Sequence, residues 1–293
     1  EFLGKGRYAT VHRGKRKHSS EAPCALKIID KDAFWSRVHN GLERNDTLVR
    51  EVSVQTTLTC KNATAVLPLR SCFETHDHLV LELELLNGTD LFQHVKGNSL
   101  PEHDVALIMR DLLESLKSMQ QCNIAHRDVK LANILMDKDN NHVKLCDFGM
   151  SSFFELDGTL KGRCGTAGFV APEIFDSYRG YPAKLVDIFS AGVTLFVMLC
   201  GYEPFYGKSE RELVSANKRG YIEFAQNDWK NVSNEAIDLV KKMLKADYKK
   251  RISVEEALKH EWIVLHTSIR DLELAHAPTN NNALLEDAAC VIS

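Results

Sequence analysis

His126-Arg127-Asp128-Val129-Lys130-Leu131-Ala132-Asn133, followed after a short apolar run by Asp147-Phe148-Gly149, is the stretch on which the reading of this chain turns. It places a carboxylate, an ammonium and an amide on one compact loop. A second carboxylate lies nineteen positions after Asp128, across what reads as a β-hairpin. Transfer of a phosphoryl group needs a base or orienter for the incoming hydroxyl, a cation on the moving phosphate and oxygen ligands for Mg²⁺. These residue types supply all three. The stretch reads as a phosphate-and-metal site.

Working outward, Gly4-Lys5-Gly6-Arg7-Tyr8-Ala9-Thr10-Val11 is a glycine loop that lets backbone N–H groups approach phosphates, and Ala25-Leu26-Lys27 follows on the next apolar strand. A dinucleotide fingerprint would need a crossover helix directly after the glycines, and a Walker loop would need Gly-Lys-Ser/Thr; neither is present. Taken in order, these segments resemble the phosphate-covering loop, strand lysine, catalytic loop and metal-binding loop of eukaryotic protein kinases. The serine/threonine type is indicated, and the calcium/calmodulin-dependent group is the most similar.

That resemblance implies an α+β, bilobal fold with a β-rich small lobe at 1–86, a helical lobe at 87–262 and a tail at 263–293. It also implies roles. Gly4 and Gly6 would cover the phosphates of ATP, Lys27 would bind them, and Glu51 would hold Lys27. Val11 and Ala25 would roof the adenine and Leu135 would floor it, with Leu83 as gatekeeper, Glu84 to Leu86 along the adenine edge and Asp90 near the ribose. Asp128 would orient and deprotonate the substrate hydroxyl, Lys130 would steady the γ-phosphate, Asn133 and Asp147 would hold Mg²⁺, and Thr166 would touch Asp128 and Lys130. Glu173 of Ala171-Pro172-Glu173 would pair with Arg251, and Asp187 would cap the catalytic-loop backbone. Lys130 and Thr166 fit a serine/threonine acceptor on protein substrates better than a tyrosine or a small molecule.

Four departures from the family pattern carry expectations. Gln55 stands where an apolar residue of the internal spine is usual; a buried amide there needs hydrogen-bond partners, so the inward state of its helix is expected to be less favoured. Phe189 replaces a tryptophan. Gly162 occupies the usual activating phosphosite, so Arg127 lacks its customary phosphate, with Glu155 or Asp157 to supply charge or Thr159 as an alternative acceptor. Ala132 replaces a glutamate common in basophilic relatives, which predicts a reduced preference for arginine two residues before the acceptor. A non-catalytic pseudokinase scaffold is the competing reading. Gln55 and Phe189 permit it, and the intact Lys27, Asp128, Asn133 and Asp147 argue against it.

A net charge of −3 over 293 residues gives no electrostatic footprint for nucleic acid. Eight scattered cysteines without a C-x-x-C pair, in a chain showing no signal peptide, read as reduced thiols in a cytoplasmic setting, which makes Asn45, Asn62, Asn87 and Asn231 chance sequons. No segment reaches the apolar length of a membrane helix; the longest run, 191–200, ends at Gly201.

Patterning predicts strands at 2–4, 10–16, 24–30, 65–69, 71–75 and 78–85, the last alternating apolar residues with Glu82 and Glu84, then a break at 87–89. Helical spacing appears at 48–58, 104–121, 185–200, 210–218, 234–245 and 254–259, and the polar segment 31–46 reads as a long connection. Asp137 to Asn141 imitates an EF-hand start, but His142 and Phe148 fall where Gly and Glu are needed, so it reads as a hairpin turn. The segment after Trp262 is not a basic amphipathic helix, so no calmodulin site is expected. Residues 278–282 read as a linker. Cys290-Val291-Ile292-Ser293 fits the farnesylation pattern, which would give weak, reversible membrane attachment through a single lipid on Cys290.

Overall fold

The computed structural model describes residues 1–17, 22–96, 98–139, 141–175 and 180–276. Asn140 of the EF-hand-like turn, the linker at 278–282 and the Cys290 motif lie outside the described residues. The first part of the chain is a sheet because its apolar residues alternate along short runs. Its strands are β1 (Phe2–Lys5), β2 (Ala9–Gly14), β3 (Cys24–Asp30), β4 (Leu69–Glu74) and β5 (His78–Glu84), all antiparallel in the order β1-β2-β3-β5-β4. The β3–β5 register sets Ala25 opposite Leu83 and Lys27 opposite Leu81. Two helices interrupt the sheet, α1 (Lys31–His39) and α2 (Thr47–Cys60). Helix α2 buries Thr47, Glu51, Val54, Gln55 and Leu58, an i, i+4, i+7, i+8, i+11 stripe that presents Glu51 to β3.

From there helices dominate. The short strand β6 (Gly88–Asp90) and α3 (Leu91–Val95) lead to α4 (Glu102–Gln121) and β7 (Ile124–Ala125). The hairpin β8 (Ile134–Asp137) and β9 (Val143–Leu145) follows, then β10 (Ser152–Phe153), β11 (Thr159–Leu160), β12 (Tyr181–Pro182) and α5 (Ala183–Cys200). The chain continues through α6 (Glu210–Arg219), α7 (Gln226–Trp229), α8 (Asn234–Met243), α9 (Val254–Leu258) and α10 (Glu261–His276). By length and composition α5 could cross a membrane, contrary to the expectation that no segment reaches that size. It is instead the buried centre of the helical lobe, stopped by Gly201 at φ +87°.

Other differences have local causes. Residues 65–68 are not a strand: Ala65 sits at φ +52° and Pro68 offers no N–H, so only Val66 bridges to Leu145 before β4 begins at Leu69. The run does stop after Glu84, and Gly88–Asp90 beyond the break form β6 and pair with β8. The supposed connection 31–46 holds α1, capped by Asp30 Oδ1 accepting from Ala33 N at 2.8 Å and anchored by buried Phe34 edge-on to Tyr8. Helix α10 runs through the position where a tail was expected to begin.

Candidate active site

Three elements converge on Lys27. Its Nζ lies 2.5 Å from Glu51 Oε1 on α2 and 3.0 Å from Asp147 Oδ1. Burial alone would depress the ammonium's pKa, but Asp147 and Glu51 more than offset this and raise it. In return Lys27 brings the Asp147 carboxyl down to about 2. Glu51 is 2% exposed and its Oε2 has no hydrogen-bond partner among the described residues. Arg50, beside it, donates Nε to Ser151 O at 2.9 Å, so α2 holds the chain after Phe148-Gly149 directly and Asp147 before it through Lys27. The sequence reading missed Arg50; its only signal was adjacency to Glu51.

Gln55 is buried, and its Nε2 donates to Leu67 O at 3.3 Å. The amide is therefore accommodated and α2 sits inward, against the expectation drawn from this residue. Phe148 is buried edge-on to His126, whose Nε2 meets Cys146 O at 3.0 Å, which holds the Asp147 loop in place.

The catalytic loop is built around Asp128. Thr166 Oγ1 donates to Asp128 Oδ1 at 2.7 Å, and Lys130 Nζ donates to Thr166 Oγ1 at 2.8 Å while lying 2.9 Å from Asp128 Oδ2. Asn133 Nδ2 donates to Asp128 O at 2.8 Å and to Oδ2 at 3.1 Å. Asp187 of α5 anchors the loop from below, accepting from His126 N at 2.7 Å and Arg127 N at 2.8 Å. Burial pushes the Asp187 carboxyl up while those two donors pull it back. Arg127 and Asp147 both adopt left-handed backbone, φ +66° and +61°, the kind of strain that persists where surroundings over-determine a functional geometry.

Val11, Ala25, Leu83, Leu86 and Leu135 pack in one apolar cluster, joined by Cys146, which the sequence reading did not single out although it directly precedes Asp147. Glu84 pairs through Oε2 with Lys144 Nζ at 2.5 Å, and Asp90 caps α3 by accepting from Gln93 N at 2.8 Å. A side chain added at Gly4 would meet nothing within 4 Å of its Cβ, and one at Gly6 would meet only Ala9 O at 3.6 Å; neither residue has positive φ. The fold itself does not require glycine at either position, which leaves close approach of a ligand as its use.

For Mg²⁺ the donor set fits. Asp147 is ionised and its side chain 52% exposed, and the Asn133 amide nitrogen is engaged with Asp128, which leaves its oxygen for a cation. No group of three His, Cys, Asp or Glu that could hold a metal exists among the described residues. A hard cation here would complete its shell with phosphate oxygens and water, as Mg²⁺ does at nucleotide sites.

The activation segment is fastened by protein groups. Arg127 Nε donates to Met150 O at 2.7 Å and Nη1 to Lys161 O at 3.3 Å, and Tyr181 Oη donates to Gly162 O at 3.1 Å. Asp157 does not serve Arg127; it accepts from Thr159 N at 3.0 Å and Thr159 Oγ1 at 2.7 Å. Arg251 clasps Glu173 at 2.6 and 2.9 Å, and Phe189 stacks on Phe205 beneath the Arg251 guanidinium.

A lysine–glutamate pair on the sheet, a buttressed aspartate and a carboxylate–amide metal pair, spread over two lobes, define a kinase-type phosphotransfer scaffold. The family model described as protein kinase domain matches residues 1–263, and the chain belongs to that family. It is 34% identical over 270 residues to a protein of Dictyostelium discoideum named probable serine/threonine-protein kinase fhkC, covering 91% of this chain and 44% of that one. Against calcium-dependent protein kinase 3 of Plasmodium yoelii yoelii the identity is 34%, covering 89% and 47%. Against myosin light chain kinase A of Dictyostelium discoideum it is 31%, covering 92% and 88%. The chain thus spans about half the length of the first two relatives.

Proposed function

We propose that this chain is a catalytically competent serine/threonine kinase domain that transfers the γ-phosphate of ATP to hydroxyls of protein substrates. The observation that carries the reading is the state of Asp128: its carboxylate is held by the Thr166 hydroxyl and the Asn133 amide, with the Lys130 ammonium at 2.9 Å. A scaffold that had lost catalysis would not need that arrangement alongside an intact Lys27–Glu51 pair. Mg²⁺ bound with ATP would neutralise charge on the phosphates. Lys27 would position the α- and β-phosphates, Lys130 would steady the γ-phosphate, and Asp128 would orient the acceptor hydroxyl and take its proton. The apolar cluster of Val11, Ala25, Leu83, Leu86 and Leu135 supports an adenine slot.

A degenerate peptide library with Mg²⁺-ATP tests this. The wild type should phosphorylate Ser/Thr peptides and Asp128→Asn should lose at least about 10²-fold, the scale of removing a general base. No transfer by either protein would favour the scaffold. The same library reads the consequence of Ala132, a weak arginine preference two residues before the acceptor.

We infer that the domain works without an activating phosphate, a reading that the contacts of Arg127 support. The carbonyls of Met150 and Lys161 occupy Arg127, and Asp157 beside Thr159 would repel a phosphate there. Protein prepared without any upstream kinase, and verified unphosphorylated by mass spectrometry, should be active, and Thr159→Ala should stay within about twofold of it, the usual range for losing one exposed hydrogen bond. An inert product that awakens on Thr159 phosphorylation would sink this.

A further inference from the structure

A cavity of 480 Å³ opens between the activation segment and α6, with Arg163, Cys164 and Gly165 on one side and Arg211, Val214 and Lys218 on the other. Its position ties it to the site. Cys164 and Gly165 lead directly into Thr166, whose hydroxyl donates to Asp128 Oδ1 at 2.7 Å, and Ala167 beyond it lines the cavity too. Thr166 thus links the cavity lining to the carboxylate at which the acceptor hydroxyl is expected, so the opening lies beside the acceptor position.

The lining has apolar residues, Val170 and Phe175, and the cations Arg163, Arg211 and Lys218; among the described residues Glu210 is its one carboxylate. Arg163 is oriented by Nη2 donating to Phe175 O at 2.7 Å. The Arg211 side chain is exposed and makes no hydrogen bond or ion pair among the described residues. An isolated surface arginine is usually just solvated. Two guanidiniums on the rim of a concave site beside the acceptor position are a different case, because their planar forks match carboxylate and phosphate oxygens.

We propose that this cavity is a subsite for an anionic side chain, carboxylate or phosphate, adjacent to the Ser/Thr that is phosphorylated. It rests on the kinase reading and deepens it: the enzyme selects acidic or already phosphorylated sequences. A basic side chain in the same place meets like charge and is rejected.

The test uses one peptide with a single Ser acceptor, varied to Ala, Glu, phosphoserine or Lys at each of three positions on either side. At one position the Glu or phosphoserine peptide should exceed the Ala peptide in kcat/KM by about tenfold, a common scale for a charge-assisted contact, and Lys should fall below Ala. A gain for phosphoserine alone assigns the site to primed substrates, and a gain for both assigns it to acidity in general. Arg211→Glu should abolish the gain and tolerate Lys while handling the Ala peptide within about twofold of wild type. Equal kcat/KM for Ala, Glu and phosphoserine at every position, or an unchanged preference in Arg211→Glu, overturns the subsite. The Ala peptide reports transfer itself, so silence on all peptides would count against the kinase reading. Fluorescence anisotropy of labelled Glu, phosphoserine and Ala peptides would then still decide the subsite, equal affinities overturning it.

Discussion

Asp147→Asn is expected to reduce phosphate transfer by on the order of 10³-fold, the scale of losing one preorganised electrostatic contact at a reacting centre, with little change in thermal stability. The substitution keeps the shape, removes the charge and turns one acceptor oxygen into a donor NH2. That charge has two uses. In the structure it faces Lys27 at 3.0 Å, and with nucleotide present it would ligate the cation while Lys27 turns to the phosphates. Because Lys27 holds the Asp147 carboxyl at about 2, the group stays ionised throughout the working pH range. The folded value is the lower one, so their attraction stabilises the fold above the ordinary carboxylate range near pH 4 and is lost as pH falls toward 2. Half-exposure of the side chain screens this term, so the stability effect is small beside the catalytic one. Asp147→Asn, which no longer carries the titrating carboxyl, should flatten the acid-unfolding curve between about pH 4 and 2. Transfer by Asp147→Asn within tenfold of wild type would remove Asp147 from the proposed metal pair.

How much of this was legible depended on whether the determining contact was local. Strand β3 appears with the bounds read from CALKIID, because Pro23 and the apolar run mark them, and α5 ends at the glycine its sequence announces. The pairing of Lys27 with Glu51, twenty-four residues apart, was readable only through motif order. Helix α1 was hidden because a single buried aromatic, Phe34, anchors it instead of a periodic face; its one local signal was Asp30 as a cap. Glu82 shows the same limit. Alternation put it opposite the apolar face, yet it is buried, accepting from Arg16 Nη2 at 2.8 Å and Ser71 Oγ at 2.6 Å. No pattern within β5 could disclose a partner sixty-six residues away. Gln55 failed for that reason too, since its hydrogen bond runs to a carbonyl outside its helix.

The largest stability effect is expected at Arg251. Its side chain is fully buried and Glu173 is 7% exposed, with the two terminal guanidinium nitrogens, Nη1 and Nη2, on the carboxylate at 2.6 and 2.9 Å. Arg251 also donates to Leu185 O at 2.6 Å and Lys245 O at 2.9 Å, so one side chain ties the end of the activation segment to α5 and to the chain after α8. Arg251→Met should cost about 3–5 kcal/mol, mostly because Glu173 is left charged and buried without a partner. For a chain of this size that is a fall in Tm of roughly 10 °C. The double variant Arg251→Met/Glu173→Leu removes the stranded charge and should recover part of the loss. Recovery stays incomplete, because the carbonyls of Leu185 and Lys245 remain without their donor. Calorimetry on the two variants checks the argument. A single variant within about 1 kcal/mol of wild type, below the cost of stranding a buried charge, or a double variant less stable than the single one, would show that the pair is not what fastens this segment to the helical lobe.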